Sequence, residues 1–148
     1  MSPSFLPVTE ESIPRVLEMA ARLYAQGGDP WDAQRARRAM LQLIAAREHG
    51  AMWLIDAGGR SAGYLVLTVC YSLEFGGRFG LLDELYLEEP YRGAGLGAQA
   101  MAFAEAACRE RGWQALRLEV GHGNARALAL YQGRGFRIED RHLMTKWL

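Results

Sequence analysis

Neither sign of charge is in excess in this chain, where 17 basic residues stand against 17 acidic ones among 148 positions. A balanced chain lacks the broad basic field that holds nucleic acid without regard to sequence, which argues against a DNA or RNA partner. Long apolar runs are missing as well. No stretch approaches the ~18 to 20 consecutive apolar residues of a membrane span, and Met1-Ser2-Pro3-Ser4 has no basic region followed by an apolar one. The expectation is a cytoplasmic protein with no membrane partner. Cysteine is scarce: Cys70 and Cys108 lie far apart in apolar runs without CxxC spacing, and His49, His122 and His142 are scattered. Free buried thiols fit this pattern better than a disulfide, and no metal site is expected. Low-complexity runs, internal repeats and a linker are also absent, so residues 1–148 read as one domain. What is present is apolar material, 50% of all residues. A chain of this length buries roughly two-thirds of its unfolded surface and needs no covalent staple.

The apolar residues change period along the chain. Phe5-Leu6-Pro7-Val8 is a short apolar start. From Thr9 to Gln26, Ile13, Val16, Leu17, Ala20 and Leu23 recur at helical spacing, with Thr9 or Ser12 to cap and Gly27-Gly28 to stop. A second helix is predicted to open at Asp29-Pro30, carry Ala36, Ala39, Met40, Leu43 and Ile44 on one face, and end before Gly50. Met52-Trp53-Leu54-Ile55, a turn at Asp56 to Gly59, and Gly63 to Cys70 predict a hairpin. Ser72 to Phe79 reads as a loop and Gly80 to Leu87 as a strand. An alanine-rich helix is predicted from Gly95 to Arg111, a strand over Leu116 to Val120, a short helix over Asn124 to Arg134, and last strands over Phe136–Glu139 and His142–Trp147. This order predicts an α/β (α+β) fold with a mixed sheet and helices on both faces.

The strongest local signal is Tyr91-Arg92-Gly93-Ala94-Gly95-Leu96-Gly97, between a strand and a helix N-terminus. Alternate glycines let the chain turn tightly and bring successive N–H groups near an anion, and the helix adds unpaired donors and its positive end. A pyrophosphate fits such a turn, with Arg92 able to add a charge-assisted contact; a tight turn and nothing more is the alternative. Gly93, Gly95 and Ala98, with Glu119 about twenty residues on, imitate a dinucleotide fingerprint. The context does not fit, because Glu88 to Arg92 intervene after the strand and only one further helix-bearing unit remains. A P-loop fails for want of Gly-Lys-Ser/Thr.

Arg92-Gly93-Ala94-Gly95-Leu96-Gly97 resembles the Gln/Arg-x-x-Gly-x-Gly/Ala signature of the GNAT superfamily of acyl-CoA-dependent N-acyltransferases. Leu85-Tyr86-Leu87 with Pro90-Tyr91-Arg92, and Asn124…Leu130-Tyr131…Gly135-Phe136, look like that family's neighbouring motifs. The resemblance implies a mostly antiparallel sheet of six to seven strands with about four helices, acetyl-CoA as cosubstrate, and a homodimer, to which the apolar ending Leu143 to Leu148 could contribute a sheet edge. It places the coenzyme's diphosphate on Arg92, Gly93, Ala94, Gly95, Leu96 and Gly97. The pantetheine arm would lie between splayed strands, along Leu85, Tyr86 and Leu87, where Leu85 and Leu87 offer N–H and C=O groups; an amide-bearing arm can dock as a false strand on an open edge.

Acyl transfer to an amine needs an uncharged amine, a donor for developing negative charge and a proton for the leaving thiolate. By resemblance, Tyr131 is the general acid at the thioester sulfur; packing beside Phe136 is its bland alternative. Asn124 reads as a helix cap, alone or with a cofactor contact. Asp83 and Glu84 are the candidate bases. On a regular strand they point to opposite faces, and the bulge common in the family would bring both to the site. Tyr71, Glu74, Asp83 and Glu84 are the expected acceptor-binding residues, the three acids giving the mouth a negative potential for a cationic amine; Phe75 and Trp31 are further lining candidates. Paired acids here are also similar to the polyamine N-acetyltransferases, in the reverse order. The sequence therefore predicts transfer of an acetyl group from acetyl-CoA to a small primary amine. Acetylation of a protein N-terminus or lysine, and a catalytically silent CoA-binding module, are the rival readings.

Overall fold

The computed structural model describes residues 2–148; Met1, part of the terminus read above for a leader, lies outside the described residues. Five strands form one sheet in the order in which they occur in the chain: β1 (Ser4–Pro7), β2 (Gly50–Asp56), β3 (Ser61–Ser72), β4 (Gly77–Leu87) and β5 (Leu116–Leu118). The first four are antiparallel neighbours, and β5 joins β4 in parallel. Between β1 and β2 lie α1 (Ile13–Gly27) and α2 (Ala33–Ala45); α3 (Leu96–Glu110) links β4 to β5, and α4 (Ala125–Gly133) follows. No helix among the described residues is long and apolar enough to cross a membrane.

β3 is buried on both sides, which explains its unbroken apolar run. Tyr64 and Val66 face one layer, where Ile13, Val16, Met19 and Ala20 of α1 pack with Met40 of α2. Leu65 and Leu67 face the other, against Leu96, Ala100, Met101, Ala104 and Cys108 of α3. Each fully buried leucine contributes roughly 1.5–3 kcal/mol. Gly80 lets α3's end approach the sheet, because a Cβ there would stand 2.8 Å from Cys108 Sγ and 2.9 Å from Trp113.

The helices begin and end where local chemistry dictates. Gly28, at φ +70°, closes α1, and the Asp29 N–H bonds the Tyr24 carbonyl at 2.9 Å. α2 opens later than the Asp29-Pro30 start predicted for it, since Asp32 supplies the cap by accepting from the Arg35 N–H at 3.0 Å. The predicted loop from Ser72 to Phe79 shrinks to a turn, because the hairpin ladder runs on to Ser72 opposite Gly77.

Among the described residues the sheet has five strands rather than six to seven. β5 stops at Leu118, short of the predicted Val120, and the predicted strands Phe136–Glu139 and His142–Trp147 do not form. A three-residue β5 offers almost no ladder to a further strand. The last segment is instead held by side chains: Arg141 grips Glu74 through two 3.1 Å bonds, and the Arg35 guanidinium sits 5.1 Å from the Trp147 ring.

Candidate active site

β4 is regular up to Leu82 and irregular after it. Val66 pairs with Glu84 and Leu67 with Leu82, so Asp83 is the extra residue of a bulge. Parallel pairing to β5 spans only Gly80–Leu82 against Leu116–Leu118. Beyond that point the two strands separate around a cleft of about 200 Å³ whose lining includes Leu23, Asp83, Glu84, Leu85, Asn124 and Tyr131. The bulge thus brings both acids to one cleft, although strict alternation would have put them on opposite faces.

The open edge of β4 presents specific backbone groups. The Glu88 N–H bonds the Ala62 carbonyl at 2.8 Å, and antiparallel ladders bond through alternate residues. Glu84, Tyr86 and Glu88 therefore face β3 with their backbone groups, while Leu85 and Leu87 turn theirs toward the cleft side. The side chain of Tyr86 lies on the α1 face of the sheet, buried near Tyr64. The Leu87 carbonyl already accepts from Arg92 Nε at 2.8 Å, and the Arg92 guanidinium lies 5.5 Å from the Tyr86 ring. Glu88 binds Arg15 at 3.0 Å and Arg22 at 2.6 Å, anchoring the end of β4 to α1.

The glycine turn leads directly into α3. Gly93 and Gly95 both sit at φ +82°, and Gly95 is the N-cap, with no side chain to satisfy the helix's first N–H groups. A Cβ on Gly95 would meet no protein atom within 4 Å, so space and unpaired donors coincide. Leu96 is different: its side chain is core, and only its backbone faces the turn. This arrangement fits a diphosphate carried on backbone donors.

On the opposite wall, Tyr131 is half-buried, edge-on to Phe136 at 6.0 Å, and burial pushes its phenol pKa up. Asn124 caps α4, its Oδ1 accepting from the Ala127 N–H at 3.2 Å; its NH2 and the second lone pair of Oδ1 are left for another partner. Among the acids, Glu84 accepts from Tyr24 at 3.0 Å and from Tyr64 at 2.8 Å. Burial raises its pKa, while the two phenol donors pull it down. Asp83 has no hydrogen-bond partner among the described residues, and desolvation raises its pKa. Tyr24 in turn packs against Trp31, ring centroids 5.1 Å apart.

Tyr71 and Glu74 are not brought into the cleft. Tyr71 is 72% exposed on the β3–β4 hairpin, and the Arg141 guanidinium neutralises Glu74, holding its carboxyl below the usual range. Phe75 lies on that hairpin too, under Arg117. Tyr24 and Tyr64 join the site without any signal in the sequence. A tyrosine in an apolar strand or on a helix's apolar face reads as core, and nothing local marks its hydroxyl.

The GNAT acetyltransferase family model matches residues 14–136. The chain belongs to this family, and is an acetyl-CoA-dependent N-acetyltransferase. An integron cassette protein from the mobile metagenome of Cole Harbour Salt Marsh is 29% identical, covering 97% of this chain and 90% of its own, with a TM-score of 0.85. A predicted acetyltransferase of Clostridium acetobutylicum, solved with acetyl-CoA, shares the fold at 14% identity and TM-score 0.82, over 98% of this chain and 96% of its own. An aminoglycoside N-acetyltransferase in complex with CoA does so at 13% and 0.81, over 99% and 95%. No curated protein matches the chain in sequence.

Proposed function

We propose that the protein acetylates a primary amine carried by a small cationic molecule, the amine attacking the thioester of acetyl-CoA directly. The observation that carries this reading is the meeting of Tyr131, Asp83 and Glu84 in one cleft beside the unpaired edge of β4. Backbone donors from Gly93 to Gly97, with the Arg92 side chain beside them, hold the diphosphate, and the edge at Leu85 and Leu87 holds the pantetheine arm. Bound there, the cosubstrate supplies an activated acetyl group.

The chain's own groups supply the rest. Only the free amine is nucleophilic, so a carboxylate of the Asp83–Glu84 pair takes the ammonium proton, and desolvation in the cleft, which raises half-buried Glu84 and also Asp83 although that residue is exposed, favours the uptake. Tyr131 is protonated at neutral pH as an ordinary phenol is, burial pushing its pKa further up, and it donates to the sulfur as the thiolate leaves. Leu23 gives the acceptor side an apolar wall. A homodimer in the cytoplasm is part of the same reading; exposed Leu143, Met144 and Trp147 give the C-terminal segment an uncovered apolar surface for contact between copies.

Thiol release from acetyl-CoA tests the reading, measured with a panel of small primary amines and with peptides bearing a free N-terminus or a lysine. Turnover with a small amine is expected. Turnover confined to peptides would move the acceptor to proteins, and CoA binding with no turnover would leave a silent binding module.

A further inference from the structure

The two neighbouring carboxylates of the cleft are held in different ways. Glu84 has each oxygen engaged by a phenol, Tyr24 at 3.0 Å and Tyr64 at 2.8 Å, and each oxygen keeps a second acceptor site for a ligand. Neither donor is free to turn away. Tyr64 is 0% exposed in the middle of the sheet, so its hydroxyl has no water to replace the carboxylate. Tyr24 rests on Trp31, and the Asp29 N–H closes the helix turn at the Tyr24 carbonyl. Asp83 sits on the bulge one residue away, without a hydrogen bond, and no ion pair reaches either carboxylate among the described residues.

Resting on the reading of acetyl transfer to an amine, we infer that Tyr24 and Tyr64 are positioning residues that lock Glu84 as a fixed anion facing the acceptor's ammonium, while Asp83 alone exchanges the proton. The phenols donate and do not give their protons up, Tyr24 being pushed up to about 12 by burial and by the Glu84 charge. Desolvation raises both carboxyls, and only at Glu84 do two donors oppose that rise by favouring the ionised form. Neighbouring acids whose surroundings differ in this way divide the tasks of anion and base. One N–H bond of the ammonium breaks and one O–H bond forms on Asp83, leaving a neutral amine and a neutral carboxylic acid that returns its proton to water. The groups facing Glu84 are Tyr24 from α1, Tyr64 from β3 and Asp83 from its own strand, with Asp29 beyond Tyr24.

The test follows the Glu84 side-chain carboxyl by 13C NMR titration in the wild type, Tyr24→Phe and Tyr64→Phe, alongside amine kinetics in these and in Glu84→Gln. Each phenylalanine variant should raise the Glu84 titration midpoint, because a donor to the charged form is lost, and should raise the amine KM several-fold with kcat and CoA affinity within about twofold. In a Glu84→Gln background neither replacement should have a further effect, which a structural role alone would not produce. An unmoved midpoint, or effects that add in full to Glu84→Gln, would overturn the inference. Tyr24 is partly exposed, so Tyr24→Phe keeps the test should Tyr64→Phe not fold. If the wild type turns over no amine, the acetyl-transfer reading fails, and the titration still decides whether the two phenols hold Glu84 ionised.

Discussion

The wall of the cleft proposed to hold the cofactor is made of backbone, whereas the wall proposed for the acceptor is made of side chains. On the first, the edge of β4 at Leu85 and Leu87 and the turn at Gly93 and Gly95 present main-chain groups whose directions follow from the ladder and from two φ values of +82°. On the second, Asp83 and Glu84 stand at the bulge of β4 with Leu23 beside them, and Tyr24, packed on Trp31, supports Glu84 from behind. Backbone donors suit a cosubstrate whose diphosphate and amides never change. Side chains can be exchanged one at a time, which leaves an acceptor wall free to diverge on a common frame.

Each wall can be damaged without the other. A large effect is expected for Tyr131→Phe, which removes the proton donor at the sulfur and keeps the ring against Phe136; kcat should fall by about 10²-fold, the low end of general-acid contributions, with CoA affinity unchanged by calorimetry. Wild-type turnover would return Tyr131 to a packing role. Gly95→Asp should weaken CoA binding by more than about tenfold, because it places a charged side chain at φ +82° where N–H groups must meet phosphate. A folded variant with unchanged affinity would remove the diphosphate from this turn.

Much of the fold, and the glycine turn on which the cofactor wall is proposed, is legible in the sequence, because the signals are local. Helix-period residues such as Ile13, Val16 and Ala20 and the alternate glycines of the turn need no distant partner to be read. The acceptor wall was legible only in part. Asp83 and Glu84 stand out as acids in an apolar strand, but Tyr24 and Tyr64 meet Glu84 across 60 and 20 residues, a relation that exists only after the sheet forms. Glu74 misled for the same reason. Its partner Arg141 lies 67 residues away and turns an expected contributor of negative charge into half of a neutralised pair.

Smaller effects sharpen the contrast between the walls. Asp83 is an exposed residue whose carboxyl is desolvated in part by the cleft, which sets its folded value above the unfolded one, so ionising it costs a little stability, screened by solvent, as pH rises through the folded value. Asp83→Asn should therefore raise Tm near neutral pH, by about 2 °C at most, with no gain in acid well below both values; a scanning-calorimetry gain that persists in acid would contradict this. The smallest change is expected for Glu74→Gln, whose amine KM should stay within about twofold, since exposed ion pairs contribute little. A large rise in that KM would carry the acceptor wall out to the hairpin.

The most direct test of two separable walls pairs the turnover of Asp83→Asn with its calorimetric CoA affinity. The arrangement predicts turnover reduced by about 10²-fold or more, partly regained at higher pH where more amine is free, with CoA affinity within about twofold of the wild type. Affinity lost in step with turnover, or turnover left at the wild-type rate, would contradict it.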